Sequence, residues 1–439
     1  MGIYGITVFL ALVGVVLALC RDIAPVAGGS MFVVQMINNS LDALNSFVWY
    51  TIGFAVMAIG LVIHLIRFKP FRSYGKIKGF LVAAAGLGVA MAIGGITVTN
   101  RAVLPAITVV GLSVLSILAV FFLYKTMGRD DPKRLTRILL INLLALAFLV
   151  MAEMITVIIR TGDPFGAISS KYKISTGWGH PNYLANILAR GVPVAIYLST
   201  REKKGSEWWL FAALFFGLGI ILTSSRSALL VALVIALVCA IYYVPKMEHK
   251  TTWICIFLMI IGLTLIGFGV LGERVRQVFA TLVRHKFDSS GRFDLWKLAW
   301  ERFTQHPIFG VGFDYDLGGR TELNPTNTAY TPYWYHNTIF QTLCSLGIVG
   351  FVAFCFFIFR QYQAMYLSKN PAVYALGFTL LLIQGISMLD IYFYVPQDYL
   401  FMLVLTLPGV QMLSEDKANT FFYPLWDLCK KLRKKEKAK

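Results

Sequence analysis

Residues 138–159 read ILLINLLALAFLVMAEMITVII, and a single position in them, Glu153, carries a charge. At about 1.5 Å per residue this stretch makes a helix of about 33 Å, enough to cross a hydrocarbon core of about 30 Å. Further charge-poor apolar stretches fall at 3–20, 46–66, 77–98, 104–124, 183–199, 207–223, 227–244, 252–272, 337–359, 372–388 and 391–413. A backbone in lipid must satisfy its polar groups within its own segment or in a closed barrel, and the alternating pattern of a barrel is missing. The sequence therefore predicts an all-α integral membrane protein of about twelve transmembrane helices.

Composition agrees. Of the 439 residues 57% are apolar and 14% charged, with mean hydropathy +0.69, whereas soluble domains carry about a quarter charged residues. Net charge +18 in a soluble chain would raise the question of nucleic acid, but in a membrane protein the distribution of Lys and Arg matters more than their sum. With both termini cytoplasmic, the inward loops hold Arg67, Lys69, Arg72, Lys76 and Lys78, then Lys125, Arg129, Lys133, Arg134 and Arg137, then Arg201, Lys203 and Lys204. Lys246, Lys250, Arg360, Lys369 and the basic tail follow on the same side, while the short outward loops hold few. No nucleic-acid partner is expected. The first span lacks a basic leader before Leu17-Ala18-Leu19-Cys20 and reads as an ordinary helix. The six cysteines lie mostly inside spans without ligand spacing and read as reduced packing residues.

This gives a division into spans one to nine (1–272), one large outward loop (273–335), spans ten to twelve (336–413) and a basic cytoplasmic tail (414–439) expected to lie on anionic lipid. Loops as long as 273–335 are usually functional. Within it Phe293, Trp296, Trp300 and Phe303 recur at helical spacing with Lys297, Glu301 and Arg302 between them, which predicts an amphipathic helix lying at the membrane surface or packing on the bundle. His306-Pro307 ends it, and Phe309-Gly310-Val311-Gly312-Phe313 turns sharply afterwards.

The strongest local pattern is His336-Asn337, nine further residues, then Gly347-Ile348-Val349-Gly350. His336 stands where the long loop re-enters the membrane. An imidazole there is partly desolvated yet reachable, which suits a general base; an interfacial histidine bonding a helix end is the structural alternative. Arg226 lies in Thr223-Ser224-Ser225-Arg226-Ser227, a polar interruption so short that the guanidinium falls beside helix N-terminal amides, and the two together can bind phosphate. Arg292, after Ser289-Ser290-Gly291, opens the amphipathic helix in the same compartment, and an arginine fork matches phosphate oxygens in pairs. Each of these arginines has a snorkelling or helix-terminal alternative. Arg190 lies inside the sixth span, where a charge costs at least about 2.5 kcal/mol, so it needs a cavity or a partner; a secondary anion contact and a structural pairing both satisfy that. Asp390 can orient His336, hold a sugar hydroxyl or pair with an arginine, the last being favoured. His180 precedes Pro181-Asn182 without a role that spacing assigns. No cluster of metal ligands and no cofactor motif appears in the outward loops.

LTSSRSALL at 222–230, GRFDLWKLAWERFTQHPIFGVGF at 291–313 and HNTIFQTLCSLGIVG at 336–350 together resemble the shared core of the bacterial O-antigen ligase and O-antigen polymerase superfamily. GHPNYLA at 179–185 is similar to its upstream element. The His-Asn, nine residues, Gly-x-x-Gly pattern resembles the ligases in particular. The resemblance implies a GT-C-like glycosyltransferase of the bacterial inner membrane, active at the periplasmic face. The donor would be a polysaccharide on undecaprenyl pyrophosphate and the acceptor a sugar hydroxyl of lipid A–core, both lipids entering from the membrane. Carried over by motif, Arg226 and Arg292 hold the pyrophosphate and His336 activates the hydroxyl. Outside that carry-over, the residues themselves add Arg190 as a secondary contact and Asn337, Asp390 and His180 as supporting candidates. The implied transfer is an inverting displacement without metal or cofactor. An O-antigen polymerase or a protein O-oligosaccharyltransferase shares these features and stays open as an alternative. A lipid-linked glycan transporter would need ionisable groups along a mid-membrane path, and this sequence puts them at the outer rim.

Overall fold

The computed structural model describes residues 77–96, 132–162, 181–201, 206–223, 225–246, 292–312, 335–390, 392–394 and 396–420, with scattered positions between 14 and 67. The candidate spans at 104–124 and 252–272, most of the 273–335 loop and the tail from 421 onward lie outside the described residues. What is described is helical and contains no strand. In chain order the helices are α1 (Lys78–Ile96), α2 (Pro132–Thr161), α3 (Pro181–Ala189), α4 (Gly191–Arg201), α5 (Ser206–Leu222), α6 (Arg226–Tyr243), α7 (Arg292–Gln305), α8 (Thr338–Ser368), α9 (Pro371–Ser387), α10 (Pro396–Met412) and α11 (Glu415–Asn419). Among the described residues α2 and α8 are long and apolar enough to cross a membrane, and shorter apolar helices cover most of α1, α5, α6, α9 and α10.

These helices are apolar on every side. On α6, Ala228, Ala232, Ile235, Cys239 and Tyr243 are buried, yet the opposite face presents Leu230, Leu233, Val234, Leu237 and Ile241, each more than half exposed. A water-facing helix would carry polar residues there, so the outward face of α6 is built for lipid.

By packing, the chain forms two compact units. The first comprises Met1–Lys69, Asp130–Asp294 and Ala375–Asp398. In it α4 packs on α5 and α6, and α2 on α4 and α5. Gly191 makes the α4–α5 contact possible, because a Cβ there would stand 2.4 Å from the Phe216 ring. Tyr242 and Tyr243 of α6 meet the Phe378 ring edge-on at 5.9 and 6.1 Å.

The sixth predicted span, 183–199, is not one helix. It breaks at Arg190 into α3 and α4. Pro193 explains the break: it has no N–H to give to the carbonyl of Ala189, and its ring crowds that carbonyl. The Arg190 amide turns instead to Ile187 O at 3.2 Å.

The second unit comprises Pro70–Arg129, Leu295–Tyr374 and Tyr399–Lys439. Here α1 packs on α8 through Phe80 and Phe357, with ring centroids 5.8 Å apart, and Phe357 in turn stacks on Tyr399 of α10. Gly409 of α10 approaches the Ala364 backbone so closely that a Cβ would stand 3.2 Å from it. At the far end of α8, Arg360 is buried and donates to Gln363 and to the carbonyls of Ala418 and Thr420, closing the last carbonyls of α11. The Gly79 amide joins the same junction by donating to Asn419 Oδ1 at 3.0 Å.

Candidate active site

His336 is half-buried and sits immediately before the cap of α8 with φ of 49°. Among the described residues only His336 and Lys369 combine a side chain with positive φ. The left-handed region costs a residue with a Cβ about 1–2 kcal/mol, so its neighbours must hold it there. They do so from both sides. The buried Tyr335 donates its amide to Gln341 Oε1 at 3.1 Å, and Gln341 Nε2 donates onward to Ser345 Oγ at 2.9 Å. Asn337 is the N-cap: its Oδ1 accepts from the amides of Ile339 and Phe340 at 2.9 and 3.1 Å. The asparagine of the His-Asn pair thus ends the loop and starts the helix, which fixes where the imidazole begins.

The Gly-x-x-Gly half of the motif has a backbone role. At Gly347 the chain inside α8 adopts φ 63° and ψ −165°, a conformation open essentially to glycine alone, and the helix kinks. A break of this kind frees backbone donors and acceptors. The turn after α7 meets them: the amides of Ile348 and Val349 donate to the carbonyls of Pro307 and Ile308 at 2.8 and 3.2 Å, while the amides of Val311 and Gly312 donate to the carbonyls of Cys344 and Ser345 at 2.8 and 2.9 Å. Gly310 at φ 71° and Gly347 admit this approach, since a Cβ on Gly347 would lie 2.3 Å from Ile308 O. The His-Pro-Ile-Phe-Gly-Val-Gly and Gly-Ile-Val-Gly segments, read separately in the sequence, are two halves of one joint.

The joint holds α7 against the first turns of α8. Ala299, Val311, Tyr335 and Cys344 form a buried cluster, with Leu295, Leu298 and Phe340 packed against it. Trp296 stacks on Phe340 at 5.5 Å and 18° between planes. The amphipathic helix expected in the long loop therefore packs on the protein, with Lys297 and Glu301 paired across 4.0 Å on its exposed side. Arg292 is its first residue and is half-buried.

Arg226 opens α6 close after α5, whose end is closed by Thr223 bonding back to Ile220 O. Ser225, 2% exposed, is the N-cap by backbone conformation, yet its hydroxyl makes no capping bond and finds no hydrogen-bond partner among the described residues. The first amides of α6 consequently lack the side-chain acceptor a serine normally provides. The Arg226 side chain and all of His180 lie outside the described residues.

Arg190 is fully buried and paired with Asp398, itself fully buried. Of the two ways to satisfy a charge inside the sixth span, a structural partner or an anion, Arg190 has the partner. Asp398 was the missed residue, although any carboxylate inside the 391–413 span carries the same requirement for a counter-charge. Asp390 accepts from Asn182 Nδ2 at 3.3 Å and from the Tyr392 hydroxyl at 3.2 Å. Ser225 and Gln341 were also missed: both lie inside the quoted motifs, but nothing in spacing separates a polar packing residue from one that holds a site. Among the described residues, no three His, Cys, Asp or Glu side chains are grouped so as to hold a metal ion.

Residues 211–355 match the protein-family model described as O-antigen ligase. The matched stretch encloses Arg226, Arg292 and His336 together with the Gly347 joint, and it leaves Arg190, Asp390 and His180 outside. No curated protein matches the chain.

Proposed function

We propose that the protein is an O-antigen ligase of the bacterial inner membrane, with about twelve spans in a GT-C-like arrangement and both termini cytoplasmic. It transfers a polysaccharide from undecaprenyl pyrophosphate to a sugar hydroxyl of lipid A–core at the periplasmic face. The observation that carries this reading is the family match over 211–355, which contains the one histidine and the two arginines that the chemistry needs.

The acceptor O–H proton passes to a ring nitrogen of His336. The hydroxyl oxygen bonds the anomeric carbon from the face opposite the pyrophosphate, and the C–O bond to the leaving group breaks with its electron pair going to the phosphate. Arg226 and Arg292 meet the charge that develops there. Two features support the assignment. The strained, capped placement of His336 fixes its backbone before substrate arrives. At the start of α6 the Ser225 hydroxyl makes no bond to the first amides, which suits a phosphate oxygen as their acceptor. Pyrophosphate is already a good leaving group, so the step does not require a metal in principle. Arg190, whose charge is met by Asp398, has a structural role in this scheme.

A deletion strain examined on a lipopolysaccharide gel tests it. Free core with polymer accumulating on the carrier lipid is the expected result; core bearing a single repeat would assign the protein as a polymerase instead.

A further inference from the structure

The turn between α7 and Gly312 belongs to a loop that charge and length place in water, yet it carries Ile308 and Phe309 at 57% and 48% exposure. Its position along α8 resolves the conflict. The carbonyls of Pro307 and Ile308 accept from the amides of Ile348 and Val349, which pins the tip beside those residues. Ile348 lies about 15 Å along α8 from Thr338, at about 1.5 Å per residue. From Thr338 to Arg360 the same helix runs about 33 Å, the thickness of a hydrocarbon core, so the tip falls near the middle of the stretch that must be in lipid.

The exposed side chains agree. Ile348, Val349 and Val352 are 42–62% exposed on a helix apolar enough to span a membrane, and Ile308 and Phe309 continue that strip sideways. Farther back on α7, the exposed Lys297–Glu301 pair requires water, and the half-exposed Trp300 is of the type that sits at a membrane boundary.

We infer that the His306–Gly312 turn is a re-entrant wedge whose Ile308 and Phe309 side chains lie among the acyl chains of the bilayer. α7 descends from the aqueous face, the turn enters the hydrocarbon, and the Gly347 joint holds it there by satisfying its backbone, the condition on which irregular chain is tolerated at that depth. The inference does not depend on the transferase chemistry.

The test uses the full-length chain with its cysteines replaced, reconstituted in phosphatidylethanolamine and phosphatidylglycerol vesicles and nitroxide-labelled one site at a time at Ile308→Cys, Phe309→Cys, Lys297→Cys and Val352→Cys. Collision with oxygen, which partitions into lipid, is compared with collision with a water-soluble nickel chelate. The oxygen-to-nickel ratio at both tip positions should match that at 352 and exceed that at 297 at least about tenfold. A ratio at 308 and 309 equal to that at 297 overturns the inference. So does strong dipolar coupling between labels on two molecules, which would make a second copy the occupant.

Discussion

Replacing Gly347 by alanine should undock α7 from α8 without unfolding the protein. The alanine would occupy φ 63° and ψ −165°, at a cost of about 1–3 kcal/mol. Its Cβ would also stand 2.3 Å from Ile308 O, so the turn must retreat, and the four backbone bonds of the joint go with it. At a net value of about 0.5–1.5 kcal/mol each, those bonds add about 2–6 kcal/mol. Taking about 4 kcal/mol for the whole, the open form gains about a thousandfold in population. Cys344 reports on it, because it is fully buried in the cluster that α7 covers. In a chain whose other cysteines are replaced, the rate of maleimide labelling at Cys344 should rise by two to three orders of magnitude, since labelling through a local opening follows the open population. Gly86→Ala is the control: nothing lies within 4 Å of its Cβ, and the change should stabilise α1 by about 0.5–1 kcal/mol. If Cys344 in Gly347→Ala labels within about threefold of the parent rate, the joint does not hold α7 and the account of the motif is wrong.

Arg226→Ala, Arg292→Ala and His336→Ala should each abolish ligation of purified lipid-linked donor while membrane insertion, followed by fractionation, stays normal; near-parental transfer by His336→Ala would remove it as the base. His336→Gly should be equally inactive but about 1 kcal/mol more stable than His336→Ala in thermal unfolding, because glycine accepts φ 49° without strain. Asn337→Ala should cost about 1 kcal/mol of stability and lower transfer, and Asn337→Asp should restore most of the stability because it keeps an acceptor for the Ile339 and Phe340 amides. Asp398→Ala should destabilise by about 3–5 kcal/mol by removing the carboxylate that meets the buried Arg190; combining it with Arg190→Met should recover more than half of the loss, and full additivity of the two changes would show that the pair is not coupled.

Much of the fold is legible in the chain because lipid imposes a simple code. The spans at 77–98, 207–223, 227–244 and 372–388 coincide with α1, α5, α6 and α9 to within two residues at each end, since apolar length and helix length are tied by the bilayer. The amphipathic stretch from Phe293 to Phe303 lies within α7, and the Thr223–Ser227 interruption marks where α5 ends at Leu222 and α6 begins at Arg226. Hydropathy cannot see a break that leaves composition unchanged, and the split at Arg190 is of that kind; its mark was the Gly191-Val192-Pro193 sequence, which backbone chemistry reads and a hydropathy window averages away. The meaning of Gly347 was hidden for another reason. Its partners are the carbonyl groups of Pro307 and Ile308, and a backbone carbonyl looks the same in every residue. For His336, Arg226 and Arg292 one sequence offers only the motifs themselves, because spacing along the chain does not encode how segments so far apart are placed.

The Arg190–Asp398 pair joins positions 208 residues apart. At about 5–20 residues per second, the ribosome needs roughly 10–40 s after making the arginine before its carboxylate exists. During that interval the carboxylate that meets this cation in the folded protein is absent, and a charge in a helix centre costs about 2.5–3.5 kcal/mol. The broken α3–α4 segment must therefore wait at the translocon, at a water-filled flank or beside another protein until α10 arrives, and truncations ending before Asp398 should be the ones that quality-control proteases clear first.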